Sequence, residues 1–139
     1  MQAYRQHVRE NLLLAFDTAE NPLPCIEESA GAPLMLATLR RLASLNAQHV
    51  LCSHGSTSSS PALIHTNLAY LEEIERRARL LLQQHTPTLT ELEQAATLID
   101  YPFAEVIASS TESFDHSFYS HAHEQNVQAM IKWLMSVKN

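Results

Sequence analysis

Two polar residues occupy positions from which this chain could do chemistry. Asp17 follows the apolar run Asn11-Leu12-Leu13-Leu14-Ala15-Phe16, and His54 follows Val50-Leu51-Cys52-Ser53 with Gly55 directly after it. Each stands at the carboxyl end of an expected strand, which is where ligands bind in open α/β sheets. An aspartate and a histidine are both metal ligands. Gly55 lets the backbone turn sharply and lets a ligand come close. Taken singly, each has a plainer reading: an Asp after a strand is a turn former, and a His before Gly is a loop residue. Cys52 lies two residues before His54, and i and i+2 of a strand share a face. Its plainer reading is a buried strand cysteine. The other histidines, His7, His49, His65, His85, His116, His121 and His123, are scattered. Ser120-His121-Ala122-His123 opens like a His-x-His metal motif, but Gln125 and Asn126 follow where further ligands would be needed. On a helix, side chains at i and i+2 diverge by about 200°, so His121 and His123 read as helix-terminus residues. A serine hydrolase at Ser53-His54 is disfavoured, because no Gly-x-Ser-x-Gly elbow is present and adjacent Ser and His do not form a triad.

The elements that must position Asp17 and His54 follow from periodicity. Residues 11–16 form a short apolar run closed by Asp17 and Asn21-Pro22-Leu23-Pro24, which reads as a buried strand. A helix that also takes in residues 1–10 is the alternative. Residues 33–46 read as a helix with Pro33 at its first position and an apolar side of Leu36, Leu39, Leu42, Ala43 and Leu45. Residues 48–52 give a second strand and 56–60 a Ser/Thr loop. Ser60-Pro61 then caps a long helix over 61–84 with the stripe Ile64, Leu68, Leu71, Ile74, Ala78 and Leu81. Glu72–Arg76 and Glu75–Arg79 are i,i+4 pairs in the favourable order. Thr88-Leu89-Thr90-Glu91 is a capping box that opens another helix, which stops before Pro102. A last helix spans 121–137. The expected class is α/β, with short strands in a β-α-β unit followed by a mostly helical C-terminal half.

Length and composition bound the rest. The 139 residues suit one domain or part of one, and 45% of them are apolar, enough for a core. The formal net charge is −6 and the lysines are Lys132 and Lys138 alone, so a nucleic-acid partner is not expected. No run of about 18 apolar residues exists, so no membrane span is expected. Residues 1–10 lack the apolar stretch of a signal peptide. Two distant cysteines read as reduced thiols, and a cytoplasmic location is the default. With only Gly31 and Gly55 as glycines, few hairpins are expected.

The motifs also resemble a known family. Asp17-Thr18-Ala19-Glu20-Asn21-Pro22-Leu23-Pro24 is similar to the Gly-Asp-Asn-x-Glu-x-Pro-x-Pro stretch of one branch of metallo-β-lactamase-fold hydrolases. The helix at Leu34–Leu45 resembles the helix that follows there. Val50 to Gly55 resembles the strand ending in Pro-Gly-His-Gly, Asn67-Leu68-Ala69-Tyr70-Leu71 the Asn-x-x-Tyr-Leu of the next helix, and His123-Glu124-Gln125-Asn126 the C-terminal end. The resemblance implies that Asp17 takes the metal-bridging role and His54 a second-site role in a two-zinc centre that activates water. The family's His-x-His-x-Asp-His motif is absent, and Phe16 and Ser53 stand where glycines are usual. A catalytic zinc needs about three protein ligands and a water. The expectation is therefore the C-terminal portion of such a fold, with an incomplete zinc site and no activity as an isolated chain. It would self-associate or bind a partner chain that covers the missing half. The alternative is a helical interaction or oligomerisation module, using the helix 61–84 and the Trp133-containing last helix as its interface.

Overall fold

A computed structural model of the chain describes residues 6–7, 12–52, 61–110 and 112–138. Its sheet has three strands in the order β1-β2-β3: β1 (Gln6–His7), β2 (Leu12–Phe16) and β3 (His49–Cys52). The apolar run at 12–16 is a strand, and the alternative of a helix running through it does not hold. β2 and β3 are parallel, with Leu12 opposite His49, Leu13 opposite Val50 and Phe16 opposite Cys52, and a bulge lies between Leu14 and Phe16. The helix α1 (Gly31–Ser44) makes the crossover that parallel pairing requires. β1 adds an antiparallel pair, Gln6 with Leu13 and His7 with Leu12. Two polar residues carry no alternating pattern, so the sequence did not announce this strand.

Period-2 geometry decides which side of the sheet is covered. Leu13, Ala15 and Val50 are buried in the common core, whereas Leu51, next to Val50, is 40% exposed. A small cavity of about 20 Å³ is lined by Leu13, Val50, Leu42 and Ile64, among others, and marks where the sheet meets α1 and the next helix. The helices after residue 60 therefore close the core over one face of the sheet.

α1 begins two residues before the sequence-based start, so Pro33 sits in its first turn, where a missing N–H costs nothing. α2 (Ala62–Gln84) follows the predicted span closely. Its buried face is Ile64, Asn67, Tyr70, Leu71, Ile74, Ala78 and Leu82. Leu68 and Leu81 are only half-buried, because α2 packs against both α1 and the last helix and its covered face is broader than one stripe. Of the anticipated ion pairs, Glu75–Arg79 forms at 2.7 Å. Arg76 turns instead to Glu73 at 2.7 Å, which leaves Glu72 to Arg40 of α1 at 3.2 Å.

The capping box forms as expected: Thr88 N donates to Glu91 Oε2 at 2.7 Å and Glu91 N to Thr88 Oγ1 at 3.2 Å. The helix it opens is broken. One 3-10 turn (Glu91–Gln94) leads into one α turn, α3 (Ala95–Leu98), and Asp100 at φ 51° ends the run before α4 (Phe103–Val106). The last helix, α5 (His116–Val137), starts five residues before 121, because Asp115 caps it by accepting from Phe118 N at 2.9 Å. The apolar faces of α2 and α5 pack on each other, with Leu71, Ile74, Val127, Met130, Ile131 and Leu134 all buried. Those faces are this chain's own core.

Candidate functional site

β2 and β3 run parallel, so their carboxyl ends lie at the same edge of the sheet. Asp17 is the first residue past β2, on the surface, in a turn closed by Thr18 N donating to Ala15 O at 3.0 Å. His54 and Gly55 lie outside the described residues, as do Ser53 and the loop 56–60. The edge that the β-α-β spacing called for is present, and Asp17 is on it.

The described residues alone do not make up a zinc centre. No group of three or more His, Cys, Asp or Glu side chains among them is placed to hold a metal ion. Cys25 is half-buried, and burial, then the Glu20 and Glu27 carboxylates, push its thiol up to about 11. It is protonated near neutral pH and is neither a nucleophile nor a ready metal ligand. Cys52 is half-buried at the end of β3. His121 and His123 are not helix-terminus residues: α5 already begins at His116, so both lie in its second turn. They diverge as the geometry requires, His121 to solvent and His123 to a fully buried position.

His123 belongs to the main polar network of the core, which sequence reasoning did not identify. Its Nε2 is 2.6 Å from the Tyr101 carbonyl oxygen and its Nδ1 is 2.8 Å from the Tyr70 hydroxyl. A carbonyl only accepts, so Nε2 carries the proton and Nδ1 accepts from Tyr70. The Tyr70 oxygen in turn accepts from Asn126 Nδ2 at 3.1 Å. Asn126 then reaches the segment after β2: Nδ2 donates to Pro24 O at 2.7 Å, and Oδ1 accepts from Ile26 N at 2.8 Å. Asn67 makes a matching clamp, with Oδ1 accepting from Glu20 N and Nδ2 donating to Glu20 O, both at 2.9 Å. Tyr119 OH donates to Glu20 Oε2 at 3.0 Å.

The network's protonation states follow from burial. Tyr70 is driven far above the ordinary phenol value, chiefly by desolvation, and stays a neutral donor. Burial also lowers His123 below its ordinary value, more than the Tyr101 carbonyl and the Glu124 charge raise it. Each polar atom of Asn67, Asn126, Tyr70 and His123 thus has a partner of the right kind, as buried polar groups require. The chemistry of this arrangement is positional. Two carboxamides from α2 and α5 hold the backbone at Glu20, Pro24 and Ile26, and so fix the segment that Asp17 opens.

Around this network, Arg77 braces the 100–105 stretch. It pairs with Glu73 at 2.6 Å and Glu105 at 2.8 Å, donates to the Asp100 carbonyl, and stacks 4.3 Å from the Tyr101 ring centroid. Arg76 and Arg77 hold the Glu73 carboxyl down at about 2. At the carboxyl end of α2, an open groove of about 320 Å³ is lined by Arg79, Leu82, Gln83, Leu134, Val137 and Lys138. It contains no acid or nucleophile, and Lys138 Nζ is engaged by Leu82 O at 2.8 Å.

No helix among the described residues is long and apolar enough to cross a membrane. No family model matches the chain, and no curated protein matches it.

Proposed function

We propose that this chain belongs to the metal-dependent hydrolase lineage of the metallo-β-lactamase superfamily. In this reading it presents Asp17 and His54 at the carboxyl edge of its β2–α1–β3 unit and is inactive as an isolated chain. The observation that carries the reading is the parallel β2–β3 pair, joined by α1, with Asp17 directly after β2. The double clamp on the segment 20–26 supports it, because a metal-bridging carboxylate needs a backbone held in one place. Inactivity follows from ligand count: two protein ligands are too few for a catalytic zinc.

Zinc titration of the purified chain tests this. Two ligands should supply about half of the ~10–16 kcal/mol of a full structural zinc site. That corresponds to a Kd between about one and a few hundred micromolar. Binding in that range, lost in both Asp17→Ala and His54→Ala, is the expected result. Zinc binding indifferent to both substitutions would overturn the assignment. Robust zinc-dependent hydrolysis of an ester, lactone or thioester by the chain alone, abolished by His54→Ala, would overturn the claim of inactivity.

A second reading has its own support. Leu51 is 40% exposed on the sheet face opposite the helices, where a covering layer would bury it. In this reading the chain self-associates or docks a partner over that face. Light scattering near micromolar concentration should show a dimer or larger form that Leu51→Lys reduces to monomer. A monomer for the unmodified chain contradicts it.

A further inference from the structure

His123 is a titratable group with no part in the proposed metal edge, yet its two ring nitrogens join four parts of the fold. Nε2–H donates to the carbonyl of Tyr101, and Nδ1 accepts from Tyr70 of α2, which is hydrogen-bonded to Asn126, the holder of Pro24 and Ile26. The direction of every hydrogen bond is set by the Tyr101 carbonyl, which cannot donate. A second proton on the imidazole can go only to Nδ1. There it meets a hydroxyl that already donates to that nitrogen, so the Tyr70 hydrogen loses its acceptor. The hydroxyl must rotate inside a site where Tyr70 is 6% exposed and His123 fully buried. Its oxygen would then face two donors, Asn126 Nδ2 and the new Nδ1–H.

We propose that His123 is a proton-operated latch: proton uptake at Nδ1 unseats the Tyr70 hydroxyl and loosens the Asn126 clamp on Pro24 and Ile26.

The surroundings leave the new charge poorly compensated. α2 presents the neutral Tyr70, and the 101 segment presents the Tyr101 ring edge-on at 5.3 Å, with Arg77 on that ring. α4 presents Phe103 at 6.1 Å. On α5 itself the negative charge that acts on His123 is that of Glu124, whose carboxylate is engaged by Ala96 N at 3.0 Å. Cys25, beside Tyr70 in the clamped segment, is a protonated thiol near neutral pH. Burial holds the imidazole below its ordinary value of 6.5 and so sets the direction of the switch. The closed form is neutral, and acid opens it.

The test is NMR of the unmodified chain between pH 8 and pH 4.5. Nitrogen shifts should show the Nε2–H tautomer of His123 near pH 7.5 and a protonation midpoint below 6.5. With intrinsic rates divided out, the exchange protection of the Ile26 amide should fall by up to tenfold per pH unit between 6.5 and that midpoint and level off below it. Glu20 N–H, held by Asn67 outside the His123 network, is the internal control and should lose much less. His123→Gln should abolish the difference between the two amides. If that variant does not fold, the titration and exchange of the unmodified chain decide alone. An Nδ1–H tautomer, a midpoint at or above 6.5, or Ile26 and Glu20 protections that move together would overturn the latch.

Discussion

Replacing Asn126 by alanine removes one side chain and strands several buried groups. The carboxamide is fully buried and makes three hydrogen bonds, to Pro24 O, Ile26 N and Tyr70 OH. Tyr70 keeps His123 as its acceptor, so its loss is small. Pro24 O and Ile26 N–H are left inside the core without a partner. An unsatisfied buried group costs about 1–3 kcal/mol. Water entering the vacated volume recovers part of that, so the expected loss is roughly 2–4 kcal/mol. At about 4 °C per kcal/mol for a chain of this size, Tm should fall by roughly 8–16 °C. Asn126→Asp keeps an acceptor for Ile26 N–H but sets an anion against the Pro24 carbonyl, so it should cost at least as much. Urea unfolding of the three proteins, compared at unchanged m value, makes the measurement. A loss below about 1 kcal/mol for Asn126→Ala, no larger than an ordinary substitution, would refute the reasoning.

Other outcomes follow from the same structure. Leu71 of α2 is fully buried in the core, and Leu71→Ala should cost about 2–5 kcal/mol in urea unfolding. Glu73 is held at about 2 by Arg76 and Arg77, against an ordinary 4.5, so its ion pairs stabilise the fold above pH 4.5 and are lost as pH falls towards 2. Solvent screening keeps that contribution under about 1 kcal/mol, so Glu73→Gln should flatten the stability profile in that window only slightly. A steep profile unchanged by Glu73→Gln would assign the acid sensitivity to other groups. Cys25, raised to about 11 from 9.0, should react with iodoacetamide at pH 8 about a hundredfold more slowly than a free thiol and at the free rate in denaturant. Equal rates would contradict its burial.

What the sequence disclosed was governed by local pattern. The apolar runs at 11–16 and 48–52, the long stripe of 61–84 and the Thr88–Glu91 box are signals contained within a few turns of chain, and they became the strands at 12–16 and 49–52, the helix α2 and the capping box. Asn67, Tyr70, His123 and Asn126 occupy core positions with helical spacing, Asn67 and Tyr70 beside Ile64 and Leu71, and His123 and Asn126 beside Ala122 and Val127. Their polar types kept them off the apolar stripes. Asn67 finds its partner Glu20 47 residues away and Asn126 finds Ile26 and Pro24 100 and 102 residues away, while Tyr70 and His123 meet each other across 53 residues, so no local window joins them. A pair of polar residues three apart within a buried stripe, twice in one chain, was the available signal. β1 was illegible for the same reason, since a two-residue strand exists only through its nonlocal pairing. The start of α5 is set by the Asp115 cap, which lies outside the apolar periodicity that marks 121–137. At the site itself, the edge bearing Asp17 was legible from β-α-β spacing, while His54 falls outside the described residues.

The central claim is that Asp17 and His54 face each other at one sheet edge, and an experimental structure of the chain at high zinc concentration measures it directly. Metals in a two-metal site lie about 3.5–4 Å apart, and each ligand atom is about 2 Å from its metal. A carboxylate-to-imidazole separation within roughly 8 Å, with both groups on the same side of the sheet, is the expected result. Side chains on opposite faces, or about 15 Å apart, would contradict the account, because no two-metal centre spans that distance.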